Sequence, residues 1–453
     1  MTNNRTQVSI AELIDGSRIG SFQIRMFVLC ALCLIIEGFD VQAMGYVAPA
    51  VIPELGLPRE AMGNILASAN FGLLIGSMIF TAMADKIGRR PVLVGSTFAF
   101  GILTIMTARA TSAEELLTYR FLAGIAMGSL IPNATALIGE YSPRRLRVTL
   151  MMTITVGFTG GAAVAGFVSA WLIPLFGWQS VFYVGGTVPL VIGVLMFFWL
   201  PESLQFLILK RRHLDKLGGW LTRINPATPT GPGVEYVGHE ENKEGVPFKH
   251  LWREGRGTGT VTLWVIYFMN LLVLYFLAGW LPTLLADEGY TTSQAALVSA
   301  ALQVGGTIGT FGFAWLIARR GFTSTLTVCF LVATVSIAAI ASPSVLMLAP
   351  LLTLVVFIAG WCIVGGQPGL NALVATYYPT AMRSTGVGWC LGIGRIGGIM
   401  GPWLGGQVSG RTMIFVVATA ALIEAGAMFS LRRVMTPQGA SRLEPAGLSS
   451  VAK

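Results

Sequence analysis

Apolar runs of about twenty residues, the length a spanning helix needs, recur along the chain. They centre near residues 36, 73, 100, 127, 161, 191, 273, 306, 332, 358, 396 and 422. Twelve such runs predict twelve membrane-crossing helices. A spanning strand would alternate with period two, and these runs do not, so the fold class is an all-α membrane protein. The runs fall into two groups of six, separated by a polar stretch rich in Lys, Arg, Gly and Pro. The pattern divides the chain into an N-terminal segment (1–23), a first six-helix bundle (24–201), a linker (202–258), a second bundle (259–431) and a tail (432–453).

The two bundles repeat each other at one constant offset. Gly124 matches Gly360, Pro132 matches Pro368, Ala136 matches Ala372 and Tyr141 matches Tyr377. Pro143 with Pro379, Arg147 with Arg383 and Gly161 with Gly397 continue the series. Residues with special backbone or charge recurring this way predict two parallel, pseudo-symmetric halves. Several charges break the symmetry: Arg120 faces Val356, Glu140 faces Thr376 and Arg395 faces Thr159. Helix-shaping residues are kept twice while these intramembrane charges occur once, as expected of a shared scaffold with one asymmetric site.

Composition narrows the class further. Of 453 residues, 54% are hydrophobic and only 11% charged, against about 25% charged in soluble domains. The net charge of +9 would suit a nucleic-acid partner if it formed one patch. Instead the basic residues gather in the N-terminus, every second loop and the C-terminus, the arrangement that marks the cytoplasmic side. Both termini are therefore expected in the cytoplasm, with no nucleic acid bound. The first twenty residues are polar, so the first helix is expected to serve as the insertion signal. Five cysteines, mostly inside apolar runs, predict no disulfide framework. All three histidines, His213, His239 and His250, fall in the linker, so neither a metal site nor a Ser-His-Asp arrangement is expected in the bundle. The run Gly392-x-Gly394-x-x-Gly397 imitates a dinucleotide motif, but no strand precedes it, and its glycines fit close helix packing instead.

The chemistry lies in the charges inside the apolar runs. Glu37 and Asp40 stand three residues apart in the first run, on one helix face. With ~1.5 Å rise per residue they lie ~18 and ~22 Å into a hydrocarbon core of ~30 Å. A charge at that depth costs roughly 2.5–3.5 kcal/mol, so it marks a functional site by default. The competing reading is a structural ion pair within the bundle. Arg120 is expected at the depth of Asp40 and could pair with it. Arg395 lies ~15 Å deep on the eleventh helix, stays charged, and needs an anion, either Glu37 or a substrate carboxylate gripped by its fork. Phe39, Tyr46, Trp280, Trp361 and Trp389 could supply ring-sized apolar surroundings, and Gln367 and Asn371 are candidate polar contacts on the tenth helix.

These residues resemble the major facilitator superfamily over nearly the whole chain. Asp85-Lys86-Ile87-Gly88-Arg89-Arg90 is similar to its signature loop between helices two and three, Arg120 with Gly124 and Gly128 to its helix-four motif, and Pro201-Glu202-Ser203 to its helix-six exit. The second-half copy of the loop is eroded to Ala318-Arg319-Arg320. Within the superfamily, Glu37-Gly38-Phe39-Asp40 and the stretch from Tyr378 through Arg395 to Gly397 resemble the aromatic acid:proton symporters. That resemblance implies that Asp40, Arg120, Glu140, Arg383 and Arg395 are needed for transport. It also implies that Asp85, with Gly88, Arg89, Arg90 and Arg147, gates the halves.

The expected function is secondary active uptake of a small aromatic carboxylate, such as a hydroxybenzoate, benzoate or hydroxyphenylpropionate, that feeds ring catabolism. A proton gradient drives it, with Glu37 and Asp40 as the coupling acids, and no cofactor is required. A transporter of another organic anion, or a proton-driven exporter, is the alternative. The chain is expected to work as a monomer in the inner membrane, among lipid. An enzyme would show a nucleophile with its base inside the bundle, and a receptor would need a larger signalling domain than the linker or tail can form.

Overall fold

The computed structural model describes residues 6–210, 214–226, 228–229, 234–237, 248–252, 255–379, 382–408 and 410–434. His213, His239 and the tail beyond residue 434 lie outside the described residues. The first half contains α1 (Ser21–Glu54), α2 (Arg59–Ile87), α3 (Arg89–Thr107), α4 (Ala113–Tyr141), α5 (Arg144–Phe176) and α6 (Gln179–Trp199). The second contains α7 (Gly257–Asp287), α8 (Thr292–Arg320), α9 (Phe322–Ile340), α10 (Ala349–Tyr377), α11 (Arg383–Gln407) and α12 (Thr412–Val434). Ten of the twelve are long and apolar enough to cross a membrane, and α1 and α11, which carry Glu37, Asp40 and Arg395, complete the set. Between the halves, short helices Leu204–Lys210 and Leu214–Ile224 interrupt the polar stretch, and Val234–Val237 pairs in parallel with Thr6–Ser9.

The duplicated glycines do the same job in both halves. Gly124 of α4 lies against the carbonyl of Ala69 on α2, and Gly360 of α10 lies against the carbonyl of Leu302 on α8. Gly161 of α5 and Gly397 of α11 likewise meet the backbones of Ile35 on α1 and Phe268 on α7. Without the hydrophobic effect to drive helices together in lipid, such close backbone approach supplies the packing contacts. Tyr141 and Tyr377 also act alike, donating to the carbonyls of Glu202 and Arg256 at 2.8 and 3.4 Å, where the linker leaves one half and enters the other.

The basic loops define one end of the molecule. There the signature loop is built around Gly88, whose φ of +105° suits glycine and whose missing Cβ leaves room for the Glu202 carboxylate. That carboxylate caps α3, accepting from the backbone amides of Arg89 at 2.8 Å and Arg90 at 3.0 Å. Arg89 forms an ion pair with Glu140, and Ser203 donates to the same Glu140 carboxylate at 2.8 Å. Arg90 donates to the carbonyl of Phe197. All these partners belong to the first half or to the start of the linker, so the loop fastens α3, α4 and the exit of α6 into one unit.

The bonds that join the two halves lie elsewhere. Arg59 pairs with Asp287 at the opposite end, and Ser293 donates to the carbonyl of Ala170 at 2.7 Å. Gln42 donates to the carbonyl of Ala278 and accepts from Gln303 at 3.1 Å. Toward mid-depth, Asn70 donates to the carbonyl of Gly398 at 3.2 Å and Thr307 to Thr159 at 3.0 Å. At the basic end Thr81, Ala82 and Asp85 of α2 and Ser384 and Gly388 of α11 are exposed. The halves are thus clasped at the end away from the basic loops and part at the basic end. Asp85 has no ion pair among the described residues in this state, while Arg147 and Arg383 occupy the first turns of α5 and α11.

Candidate functional site

Two carboxylates one helical turn apart on α1 meet different surroundings. Asp40 points into the first half. Its Oδ2 accepts from Arg120 Nη1 at 2.7 Å, its carbonyl from Arg120 Nη2 at 3.1 Å, and its Oδ1 from Thr104 at 3.1 Å. The guanidinium also lies 5.7 Å from the centre of the Phe182 ring. Both Asp40 and Arg120 are 0% exposed, so α1, α3, α4 and α6 seal the pair from the space between the halves. The sequence rightly places them at one depth. As a substrate contact, however, Arg120 is corrected: both its Nη atoms are occupied by Asp40, and the pair is walled off.

Glu37 is different. It is 1% exposed, its Oε2 is buried without a hydrogen-bond partner, and no cation forms an ion pair with it among the described residues. Arg395 of α11 and Tyr275 of α7 lie within electrostatic reach. Arg395 crosses to the other half, where Nη1 donates to Ser77 Oγ at 2.7 Å and to the carbonyl of Leu73 at 3.4 Å. The site gathers one carboxylate, one guanidinium and one phenol from three helices at mid-depth, on the seam between the halves.

A second polar chain adjoins it. Tyr267 of α7 packs on Gly394, the residue before Arg395, and its hydroxyl donates to Asn371 Oδ1. Asn371 in turn donates to Gln367 Oε1 at 3.2 Å, one turn away on α10. Both amides are half-buried. An apolar groove of about 410 Å³ runs along α11, lined by Ser384, Thr385, Gly388, Trp389, Gly392, Ile393 and Ile396. Arg395, seven residues beyond Gly388, lies at the edge of the same helix face.

The expected aromatics scatter. Phe39 packs against Gly185 inside the first half, and Tyr46 donates to the carbonyl of Ala162 at 3.2 Å. Trp280 is fully buried and donates to the carbonyl of Pro402 at 2.8 Å, and Trp361 wedges between α8 and α10 against Gly312. These four are packing residues in this state. Trp389 lines the groove but leans on Phe248 of the linker, ring centres 4.6 Å apart, in a cluster with Trp252 and Trp264. The tyrosines that do stand at the site, Tyr267 and Tyr275, recur at eight-residue spacing on α7, a signal visible in the sequence but indistinguishable there from lipid-facing aromatics.

The family model described as Major Facilitator Superfamily matches residues 30–402. The chain is 36% identical over 422 residues to the 4-hydroxybenzoate transporter PcaK of Pseudomonas putida, covering 92% of this chain and 93% of that protein. It is 36% identical over 401 residues to a gallate transporter of the same organism, covering 88% and 89%. Among solved structures, an inward-open xylose transporter of Escherichia coli, XylE, superposes with a TM-score of 0.72 at 15% identity, over 92% of this chain and 96% of that one. With twelve helices in two repeated halves and a family match over most of its length, the chain belongs to the Major Facilitator Superfamily of membrane transporters, in the branch that includes the 4-hydroxybenzoate and gallate transporters.

Proposed function

We propose that the protein imports a small aromatic carboxylate together with a proton, and that Arg395 and Glu37 carry the coupling. The observation that bears most weight is the state of Arg395: a permanent cation at mid-depth that, among the described residues, hydrogen-bonds only neutral groups, Ser77 and the Leu73 carbonyl. A guanidinium in that position is completed by an anion, and its fork matches a carboxylate. Glu37 is the protein's own competitor for that role. A proton on Glu37 removes the competing negative charge and leaves the fork to the substrate. Loss of the proton on the cytoplasmic side restores the competition and favours release. One proton with one monoanion is electroneutral and responds to the pH gradient alone, whereas two protons would add the membrane potential, about 2.3 kcal/mol per 100 mV.

The names of the relatives support the substrate class: 4-hydroxybenzoate and gallate are aromatic acids carrying ring hydroxyls. In this reading the Tyr267–Asn371–Gln367 chain meets the ring substituent while Arg395 holds the carboxylate. The basic end faces the cytoplasm, so the protein is inward-open here, with both termini and the 202–258 linker on the cytoplasmic side of the inner membrane. It works as a monomer, using the proton gradient and no cofactor. The deciding experiment is uptake into proteoliposomes with pH gradient and voltage set separately, using labelled hydroxybenzoate and competing benzoate, gentisate and phenylpropionates. Accumulation driven by an inward proton gradient and abolished by Glu37→Gln supports the proposal. Gradient-driven efflux, or accumulation indifferent to pH, refutes it. A cysteine at position 60 labelled from outside intact cells, with the linker protected, tests the orientation.

A further inference from the structure

Glu424 lies twelve residues into α12, ~18 Å from its start and close to the middle of a ~30 Å hydrocarbon core. It is 0% exposed. Its Oε1 accepts from Asn270 Nδ2 of α7 at 2.9 Å, and Asn270 is also 0% exposed. Glu424 Oε2 and Asn270 Oδ1 are both buried without a hydrogen-bond partner. Two acceptors facing a sealed site are short of a hydrogen. Turning the Asn270 amide over does not help, because its oxygen would then oppose the carboxylate.

Among the described residues no cation forms an ion pair with Glu424. The helices packed against α12 are α7 and α9. Their only acidic or basic residue is Asp287, ~25 Å along α7 from Asn270. Their other titratable groups are Tyr267, occupied by Asn371, Tyr275, beside Arg395, and Cys329 of α9. Along α12 the first basic residue is Arg432, ~12 Å on. Arg395 on α11 is turned away, onto Ser77 of α2. An ionised carboxylate buried here would carry its full desolvation cost with no cation to offset it.

We propose that Glu424 and Asn270 form a resident proton-binding site in the second half, where Glu424 is carried as the neutral acid throughout the transport cycle. The added hydrogen supplies the missing donor and removes the unpaired charge. The acid–amide contact then pins α12 to α7, the helix that presents Tyr267 and Tyr275 to the seam. Glu424 is thus a positioning residue, and its assignment does not depend on the proton coupling proposed for Glu37.

The test is infrared spectroscopy of the protein in liposomes at neutral pH, in a Glu37→Gln background so that the other orphaned carboxyl is silent. A protonated-carboxyl carbonyl band that vanishes in Glu424→Gln and shifts in Asn270→Leu is the expected result. Absence of that band, with a carboxylate signal at Glu424 instead, overturns the proposal. In the otherwise wild-type protein, Glu424→Gln should match wild type in accumulation and in protons moved per substrate. Loss of gradient-driven accumulation with intact counterflow would show that Glu424 releases its proton in the cycle, and would also overturn it. Should Glu424→Gln fail to fold, the band shift in Asn270→Leu still decides whether a protonated carboxyl meets that amide.

Discussion

Asp40 and Glu37 stand three residues apart on the same helix, yet one is surrounded by donors and the other is not. Asp40 faces inward among α3, α4 and α6 and is matched by Arg120 and Thr104. Glu37 faces the seam, with an unpartnered oxygen and with Arg395 arriving from the opposite half. A buried carboxylate with its own arginine in the same rigid unit holds that unit together. A carboxylate that faces a cation of the other half changes its surroundings whenever the halves rock, which is the basis of the coupling proposed for Glu37. By depth alone both acids qualify as coupling groups. The packing favours Glu37.

The largest effect that could break this contrast is on stability. Arg120→Ala leaves Asp40 buried and unpaired, and breaking such a pair costs about 3–5 kcal/mol. A marked fall in thermal unfolding midpoint is expected, with much of it restored by adding Asp40→Asn. If Asp40→Asn alone is fully stable and loses only gradient-driven accumulation, Asp40 is the coupling acid and the contrast inverts.

Glu37→Gln should leave stability near wild type, because it removes an unmatched charge. It should also keep substrate exchange while abolishing uphill accumulation. Wild-type accumulation by this variant would return Glu37 to a purely structural role.

Arg395→Lys keeps the charge but loses the fork. Binding of a benzoate-type acid should weaken by about 1.5–3 kcal/mol, the scale of a hydrogen bond to a charged group. Calorimetry or a competition assay reads this directly, and unchanged affinity would move the carboxylate clamp away from α11.

The smallest effect is expected where an ion pair is exposed. Glu288 and Arg411, at the end away from the basic loops, form two contacts at 3.1 Å. The hydrogen bonds from Arg411 hold the Glu288 carboxyl below its ordinary value. A depressed folded-state value means the contribution is present at neutral pH and fades as pH falls through the carboxylate range. Glu288→Gln should therefore differ slightly from wild type at neutral pH, with the gap in unfolding midpoint closing on acidification. A gap that widens instead would contradict the pairing.

Some features passed unnoticed in the sequence for identifiable reasons. Glu424 carries the same signal as Glu37, a carboxylate near the centre of an apolar run, but it stands there alone, without a second acid one turn away. Asn270 and Ser77 are uncharged and unremarkable until a neighbouring helix presents a partner. The aromatic residues failed most, because Trp280 and Trp361 have the composition of a ring pocket and the environment of helix packing.

Hydropathy periodicity sufficed for the helices and the two-half division, because each depends on residues near in sequence. The repeat offset went further and identified glycines whose contacts the fold then realised, Gly124 with Gly360 and Gly161 with Gly397. Helical rise also placed Asp40 and Arg120 at one depth. What only the tertiary structure decided was direction around each helix axis: Asp40 toward its own half, Glu37 toward the seam, Arg395 across to Ser77. Three residues along a helix amount to ~300° of rotation and ~4.5 Å of rise, enough to send two neighbouring acids to different partners. Which partners await them is set by helices distant in the chain.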